Sequence, residues 1–230
     1  MGMYVILMGA QGSGKGTQAD RVAPRLHLAR IATGDLFRAA IAAGTPLGRE
    51  VQAIYDRGEL IPDAITLDLV EQRLAEIAAA QARGEDVQGA LFDGFPRNRA
   101  QAEGLDAALA ARGAHVTAVV VLVVPYEELV ERLGNRVVCS TCGTVYNLRD
   151  LPPGAPETCA ACGGVLTRRA DDTPDAIKKR LDLYFAETEP LLAYYRERGV
   201  LAEVDGNRPK EVVTDEIVAA IDRIGGQPGS

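Results

Sequence analysis

The sequence predicts an α/β fold: a parallel five-stranded sheet with helices on both faces, interrupted by one inserted segment of different character. Three observations predict it. Five short apolar segments alternate with helical periodicities along nearly the whole chain, the order that builds a parallel sheet covered on both sides. The segment Val116–Val124 is apolar throughout except for Thr117, as a strand buried on both faces must be. Residues 136–172 lose this periodicity and gather all four cysteines with the Pro152-Pro153 pair.

Taken in order, Tyr4–Met8 reads as the first strand. Lys15–Leu26 reads as a helix with Ala19, Val22, Ala23 and Leu26 on one face. Pro24 is expected to kink that helix or end it early. Ala29–Ala32 is the second strand, followed by helices at Asp35–Ala43 and Pro46–Arg57. The latter is framed by Thr45 as N-cap, Pro46 in the first turn and Gly58 beyond its end. A longer helix begins near Pro62 and carries Ile65, Leu69, Leu74 and Ile77 until Gly84 stops it. Ala90–Asp93 is the third strand, Arg99–Arg112 a helix, Val116–Val124 the fourth strand and Tyr126–Leu133 another helix. After Pro174 helical signals return and break at Pro190. A fifth strand at Leu201–Val204 and a last helix from Pro209 to Ile224 follow. The closing Gly-Gly-Gln-Pro-Gly-Ser holds no core residue and is expected to be mobile.

The chain has 230 residues, 47% hydrophobic and 25% charged, which is ordinary globular composition and long enough for one core domain with inserted subdomains. Lys and Arg total 25 against 32 Asp and Glu, a net charge of -7. That surface repels nucleic acid and anionic membrane at long range. The opening has neither a cationic leader nor an apolar run near the roughly 20 residues that cross a bilayer. The expectation is a cytoplasmic monomer, with thiols kept reduced.

Two motifs carry chemistry. Gly9-Ala10-Gln11-Gly12-Ser13-Gly14-Lys15-Gly16-Thr17 lies between a strand and a helix. Such a P-loop turns backbone N–H groups and a helix N-terminus toward phosphate, with Lys15 reaching the outer phosphates. A bare glycine-rich turn is the alternative. Gly16 stands where the general pattern has Ser or Thr, moving the hydroxyl to Thr17. The second motif is Cys139-x2-Cys142 and Cys159-x2-Cys162, separated by residues 143–158. This spacing suits a closed four-thiolate structural zinc site; disulfides or inert thiols are the alternatives. Asp93 is either a strand-end cap or a magnesium residue, and Asp171-Asp172 either cap the next helix or serve a ligand-linked role.

The Gly14-Lys15-Gly16-Thr17 ending, Thr33-Gly34-Asp35-Leu36-Phe37-Arg38 and Asp93-Gly94-Phe95-Pro96-Arg97 resemble the nucleoside monophosphate kinases. With Gln101 and the cysteine-bearing insertion, the sequence most resembles the adenylate kinase family of the long-lid, zinc-binding bacterial type, from Met3 to about Ile224. The resemblance implies reversible, magnesium-dependent phosphoryl transfer from ATP to AMP, giving two ADP. It implies a P-loop core (1–31, 62–134 and 173–224), an AMP-binding flap (32–61), a zinc lid (135–172) and a tail (225–230). Lys15, Arg97, Arg132, Arg136, Arg169 and Arg180 become the catalytic cations. ATP falls to Gly12, Ser13, Gly14, Lys15, Gly16, Thr17, Arg132, Arg136, Val145, Tyr146 and Arg208 in the Gly206–Arg208 segment. AMP falls to Thr33, Arg38, Glu59, Leu60, Ile61, Gly94, Phe95, Pro96, Arg97, Gln101, Arg169 and Arg180. Magnesium falls to Thr17 and Asp93, directly or through water, and structural zinc to Cys139, Cys142, Cys159 and Cys162.

Two positions depart from the family pattern. The lid hinge reads Arg132-Leu133-Gly134-Asn135-Arg136-Val137, where Gly and two adjacent arginines are usual, and Arg208 replaces a common lysine. Competing readings are another nucleoside monophosphate kinase, a zinc-ribbon nucleic-acid-binding ATPase, and a GTPase-like switch. The acidic surface and absence of a basic stripe between the knuckles oppose the second. No Asn/Thr-Lys-x-Asp guanine-reading segment supports the third.

Overall fold

β-Branched and apolar runs become the strands β1 (Met3–Met8), β2 (Leu28–Ala32), β3 (Gly89–Asp93) and β4 (Ala118–Val123), then the short β5 (Arg136–Cys139), β6 (Val145–Asn147) and β7 (Leu166–Thr167), and finally β8 (Leu201–Asp205). The computed structural model describes residues 2–56, 61–152, 158–168 and 172–226. β2-β3-β1-β4-β8 form one parallel sheet, with Leu7 opposite Asp93, Asp93 opposite Ala32 and Met8 opposite Val121. The chain crosses from β1 to β2 on one side and reaches β4 on the other. The ends of β1 and β3 therefore flank the switch point where parallel sheets collect ligands.

The helices are α1 (Lys15–Arg25), α2 (Thr33–Ala42), α3 (Pro46–Asp56), α4 (Asp63–Ala82), α5 (Arg99–Ala110), α6 (Tyr126–Gly134), α7 (Pro174–Leu183), α8 (Leu191–Glu197) and α9 (Lys210–Gly225). Alternation along β1 serves both faces of the sheet. Val5 and Leu7 meet Ala19 and Val22 of α1 and Val213 and Ile217 of α9. Ile6 and Met8 meet Val70 and Leu74 of α4, Leu105 of α5 and Tyr195 of α8. Both faces are apolar because both are covered.

Pro24 lies inside α1 without ending it: the helix runs on to Arg25, and Leu26 N–H still donates to Val22 O at 3.1 Å. Thr45 caps α3 by accepting from Gly48 N–H at 3.0 Å. α2 and α3 share a small core with Ile65 and Leu69 at the start of α4. At Pro190 α7 has already loosened into a π-helical turn over Tyr184–Thr188 before α8 begins. β6-β5-β7 form a separate antiparallel sheet around Val137, Cys139, Cys159 and Leu166. Gly58 and tail residues 227–230 lie outside the described residues. Among those described, no helix is long and apolar enough to cross a membrane.

Candidate active site

The loop after β1 hands over to α1 at Lys15, so loop amides and a helix N-terminus face one region. Gly9 has φ +138°, and a Cβ there would stand 2.8 Å from Leu122 O and Ser13 Oγ. Only glycine makes that turn without displacing β4. Lys15 Nζ donates to Gly9 O at 2.5 Å and Ala10 O at 2.8 Å, holding the ammonium across the loop. Burial pushes this ammonium down to about 8; Asp93 opposes the shift, and Arg97 and Arg136 add to it. Those three side chains therefore lie within electrostatic reach of the ammonium. Ser13 Oγ and Gln11 Oε1 are buried with no partner among the described residues, which leaves hydrogen-bonding capacity inside the loop.

Asp93 ends β3 with its side chain 11% exposed, accepting from Arg30 Nη2 at 2.6 Å. Arg30 Nη1 also donates to Asp20 at 2.7 Å. A Cβ on Gly16 would lie 3.5 Å from Arg30 Nη2 and 3.6 Å from Asp93 Oδ2. A side chain at position 16 would thus begin in ordinary contact with that ion pair, and the next residue, Thr17, carries the hydroxyl. Thr17 and Asp93 are hard oxygen donors beside the loop, a donor set that fits magnesium.

Beyond β2, Thr33 is buried at the start of α2 and Arg38 pairs with Asp35. Arg97 Nε donates to Gly94 O at 2.8 Å. Phe95 and Pro96 are buried, and Phe95 packs on Phe92 with ring centroids 6.1 Å apart. The Phe95 side chain thus anchors the loop in the core. Gln101 is buried, accepting from Arg97 N–H and donating to Asp63. Ile61 packs on the flap core, while Glu59 and Leu60 lie outside the described residues.

The start of β5 and α7 bring two cations to one carboxylate. Arg136 donates to Asp172 through Nε at 2.8 Å and Nη2 at 2.5 Å, and Arg180 Nη2 donates to the same carboxylate at 2.7 Å. Thr173, by accepting from Ala176 N–H, caps α7, so Asp172 is spared for the arginines. Its side chain is 4% exposed. Burial opposes its charge, yet hydrogen bonds from Arg136 and Arg180 win and hold the carboxyl below the usual aspartate range. That stability is in place above the unfolded pKa and is lost as pH falls through the folded one. Asp172→Asn is therefore expected to cost roughly 1.5–3 kcal/mol at pH 7, with the difference from wild type closing in acid. Urea melts at the two pH values measure it.

Arg132 donates to Gly206 O at 3.1 Å and Asn207 Oδ1 at 2.7 Å, joining α6 to the segment after β8. Arg208 pairs with Glu216, and Val145 is exposed at the start of β6. Asn135, where the family pattern has glycine, donates from Nδ2 to Glu131 O at 2.9 Å and closes the end of α6, and Val137, where the pattern has the second arginine, is buried against Cys139, Cys159 and Leu166. Arg169 and Asp171 lie outside the described residues.

All four cysteines are free thiols with their Sγ atoms within 4.8 Å of one another. Cys139 and Cys162 are 3.5 Å apart, as are Cys142 and Cys159. A tetrahedral zinc site with Zn–S near 2.3 Å has S···S edges of about 3.8 Å, so the cluster can hold a metal ion. Gly164 is required beside it, because a Cβ would stand 2.8 Å from Cys139 Sγ. The Tyr146 hydroxyl, 3.2 Å from Cys159 Sγ, draws that thiol down to about 6. Cys162 is raised to about 12: the Gly164 N–H opposes this, but the Cys142 and Cys139 sulfurs outweigh it. Tyr146 thus commits its side chain to the knuckle, leaving its backbone for any ligand.

The adenylate kinase family profile matches residues 7–200. The chain belongs to the adenylate kinase family. It is 45% identical over 221 residues to the adenylate kinase of Moorella thermoacetica, covering 96% of this chain and 99% of that one. It is 47% identical over 220 residues to an adenylate kinase of Dehalococcoides mccartyi, covering 95% and 98%. The Thermodesulfovibrio yellowstonii adenylate kinase is 42% identical over 221 residues, 96% and 100% of the two chains.

Sequence reasoning missed Arg30, Asp63 and Asn98, and left Asp172 between two roles. Arg30 carried a signal, a charge inside an otherwise apolar strand. Asp63 reads only as an acid in the first turn of a helix, and nothing local links it to Gln101.

Proposed function

We propose that this chain catalyses reversible magnesium-dependent transfer of the terminal phosphoryl group of ATP to AMP, giving two ADP. The observation that carries the reading is the ammonium of Lys15 held across the glycine loop at the end of β1, with Asp93 at the paired end of β3 beside it, in a chain of this family. We take 32–61 as the AMP flap and 135–172 as the ATP lid on the core. The Gly12–Thr17 segment cradles the ATP phosphates, with Val145, Tyr146 and Arg208 along the nucleoside. Thr33, Arg38, Glu59, Leu60, Ile61, the 94–97 segment and Gln101 receive AMP.

An AMP phosphate oxygen attacks the terminal phosphorus as the bond to the bridging oxygen breaks, and ADP departs. The acceptor phosphate is ionised near neutrality, so no strong base is needed, and the work is alignment and charge neutralisation. Lys15 supplies a fixed ammonium, and Arg97, Arg132, Arg136, Arg169 and Arg180 supply planar forks matched to phosphate oxygens. Flap and lid closure excludes water, the competing nucleophile. Thr17 and Asp93 would hold magnesium directly or through water, and the ion would supply charge neutralisation for the ATP phosphates when bound. The four cysteines hold a structural zinc as thiolates, and cysteines kept out of disulfides suit a cytoplasmic protein.

The test is a coupled assay offering AMP, GMP, CMP and UMP in turn with magnesium and ATP. AMP is expected to be strongly preferred. No ADP from ATP plus AMP would overturn the reading; a preference for another monophosphate would move it to a sister kinase.

A further inference from the structure

We propose that Asp63, in the first turn of α4, is a positioning residue that locks the Gln101 amide and thereby makes the pocket select a 6-amino over a 6-oxo purine. This rests on the reading of Gln101 as part of the AMP pocket. Gln101 is 6% exposed, and its amide has two ends similar in shape but opposite in hydrogen-bonding sense.

Each end meets a partner of one sense only. Gln101 Oε1 accepts from Arg97 N–H at 2.8 Å, and a backbone N–H can only donate. Gln101 Nε2 donates to Asp63 Oδ1 at 2.6 Å, and a carboxylate accepts. Turning the amide over would set donor against donor and oxygen against carboxylate. Asp63 is itself held, since Asn98 Nδ2 donates to Oδ1 at 3.1 Å and to Oδ2 at 3.0 Å. Asn98 Oδ1 in turn accepts from Gln101 N–H at 2.9 Å and caps α5. Asp63, Asn98 and Gln101 form a closed ring, and Arg97 adds a second lock.

After these bonds the amide keeps one N–H and one oxygen lone pair, a donor beside an acceptor. Adenine offers the complement, a ring nitrogen that accepts beside an amino group that donates. Hypoxanthine offers the reverse, an N–H beside a carbonyl. With the amide locked, a 6-oxo base leaves buried polar groups unpaired, and such mismatches discriminate far more strongly than lost apolar contact.

The experiment compares kcat/KM for AMP and for inosine monophosphate in wild type, Asp63→Asn and Asp63→Glu, at saturating magnesium and ATP. Asp63→Asn is expected to lower the AMP-to-inosine ratio about tenfold, the size of one hydrogen bond to a charged group. Asp63→Glu, which keeps a pure acceptor, is expected to retain most of the ratio. A poorly folded preparation loses both rates together, so the ratio still reports base selection. Should Asp63→Asn fail to fold, Asn98→Ser keeps a cap for α5 while releasing Asp63, and is read by the same ratio. An unchanged ratio in the folded variant overturns the inference. A wild type that makes no ADP from AMP overturns the underlying reading and this inference with it, a result distinct from an unchanged ratio.

Discussion

Lys15→Met is expected to lower kcat by about 10²–10³, the cost of removing one preorganised donor from a transition state, while the protein stays folded. Among the described residues the ammonium donates only to Gly9 O and Ala10 O of its own loop, so its loss opens no core. Burial already disfavours its charge, with a folded pKa of about 8 against an ordinary 10.5. At pH 7 the folded protein therefore carries a poorly solvated cation, and methionine relieves that burden. The Tm of the variant should equal or exceed that of wild type.

The sign of the pH effect follows from the same shift. Between about 8 and 10.5 the unfolded chain holds a proton that the folded site has released, so wild-type stability gains from Lys15 as pH rises through that window. The variant should lack this gain. A coupled assay with thermal melts at pH 7 and above measures both. A kcat within threefold of wild type, in a folded variant, would remove Lys15 from the reacting phosphates.

What could be read from the sequence divides by range. β1, the phosphate loop and α1 were readable because strand pattern, glycines and helix pattern abut in fewer than 25 residues. The cysteine knuckles were readable for the same reason: spacing within each pair is local, and thiol chemistry has few uses. Element ends were less so. β4 begins at Ala118 rather than Val116, because Thr117 Oγ1 accepts from Tyr4 N–H at 3.0 Å and Thr117 N–H donates to Tyr4 O. That local exchange lies just before the regular ladder.

The unread part of the site consists of pairs far apart in the chain. Arg30 meets Asp93, Asp63 meets Gln101, and Asp172 meets both Arg136 and Arg180. Each carboxylate could equally have been a solvated surface charge, and only the packing of β2 on β3, α4 against α5 and β5 near α7 decides otherwise. Val137 shows the converse. Its departure from the family pattern looked like a lost phosphate ligand, but the side chain is buried with Cys139, Cys159 and Leu166, a role that a resemblance built on arginines does not anticipate.

Removing the metal is expected to unfold the lid and leave the core standing. The lid core comprises Val137, Cys139, Cys159 and Leu166, with Tyr146 and Leu151 packed against it. That is too little apolar area to fold a segment unaided. The cluster shares none of these residues with the two cores that flank the parallel sheet. Structural zinc contributes roughly 10–16 kcal/mol of binding free energy in small finger peptides at neutral pH, so its loss exceeds anything this small core can offset. Calorimetry with a chelator should show a separate low-temperature transition for the lid while the main transition persists. Cys139→Ala, which removes a buried ligand, should reproduce that profile without chelator. Turnover should fall by at least tenfold, since an unfolded lid no longer fixes Arg136 or excludes water, yet ATP should still bind the intact phosphate loop. A single unshifted transition in the chelated protein would mean that the lid folds on its own packing, and the thiol cluster would then need another purpose.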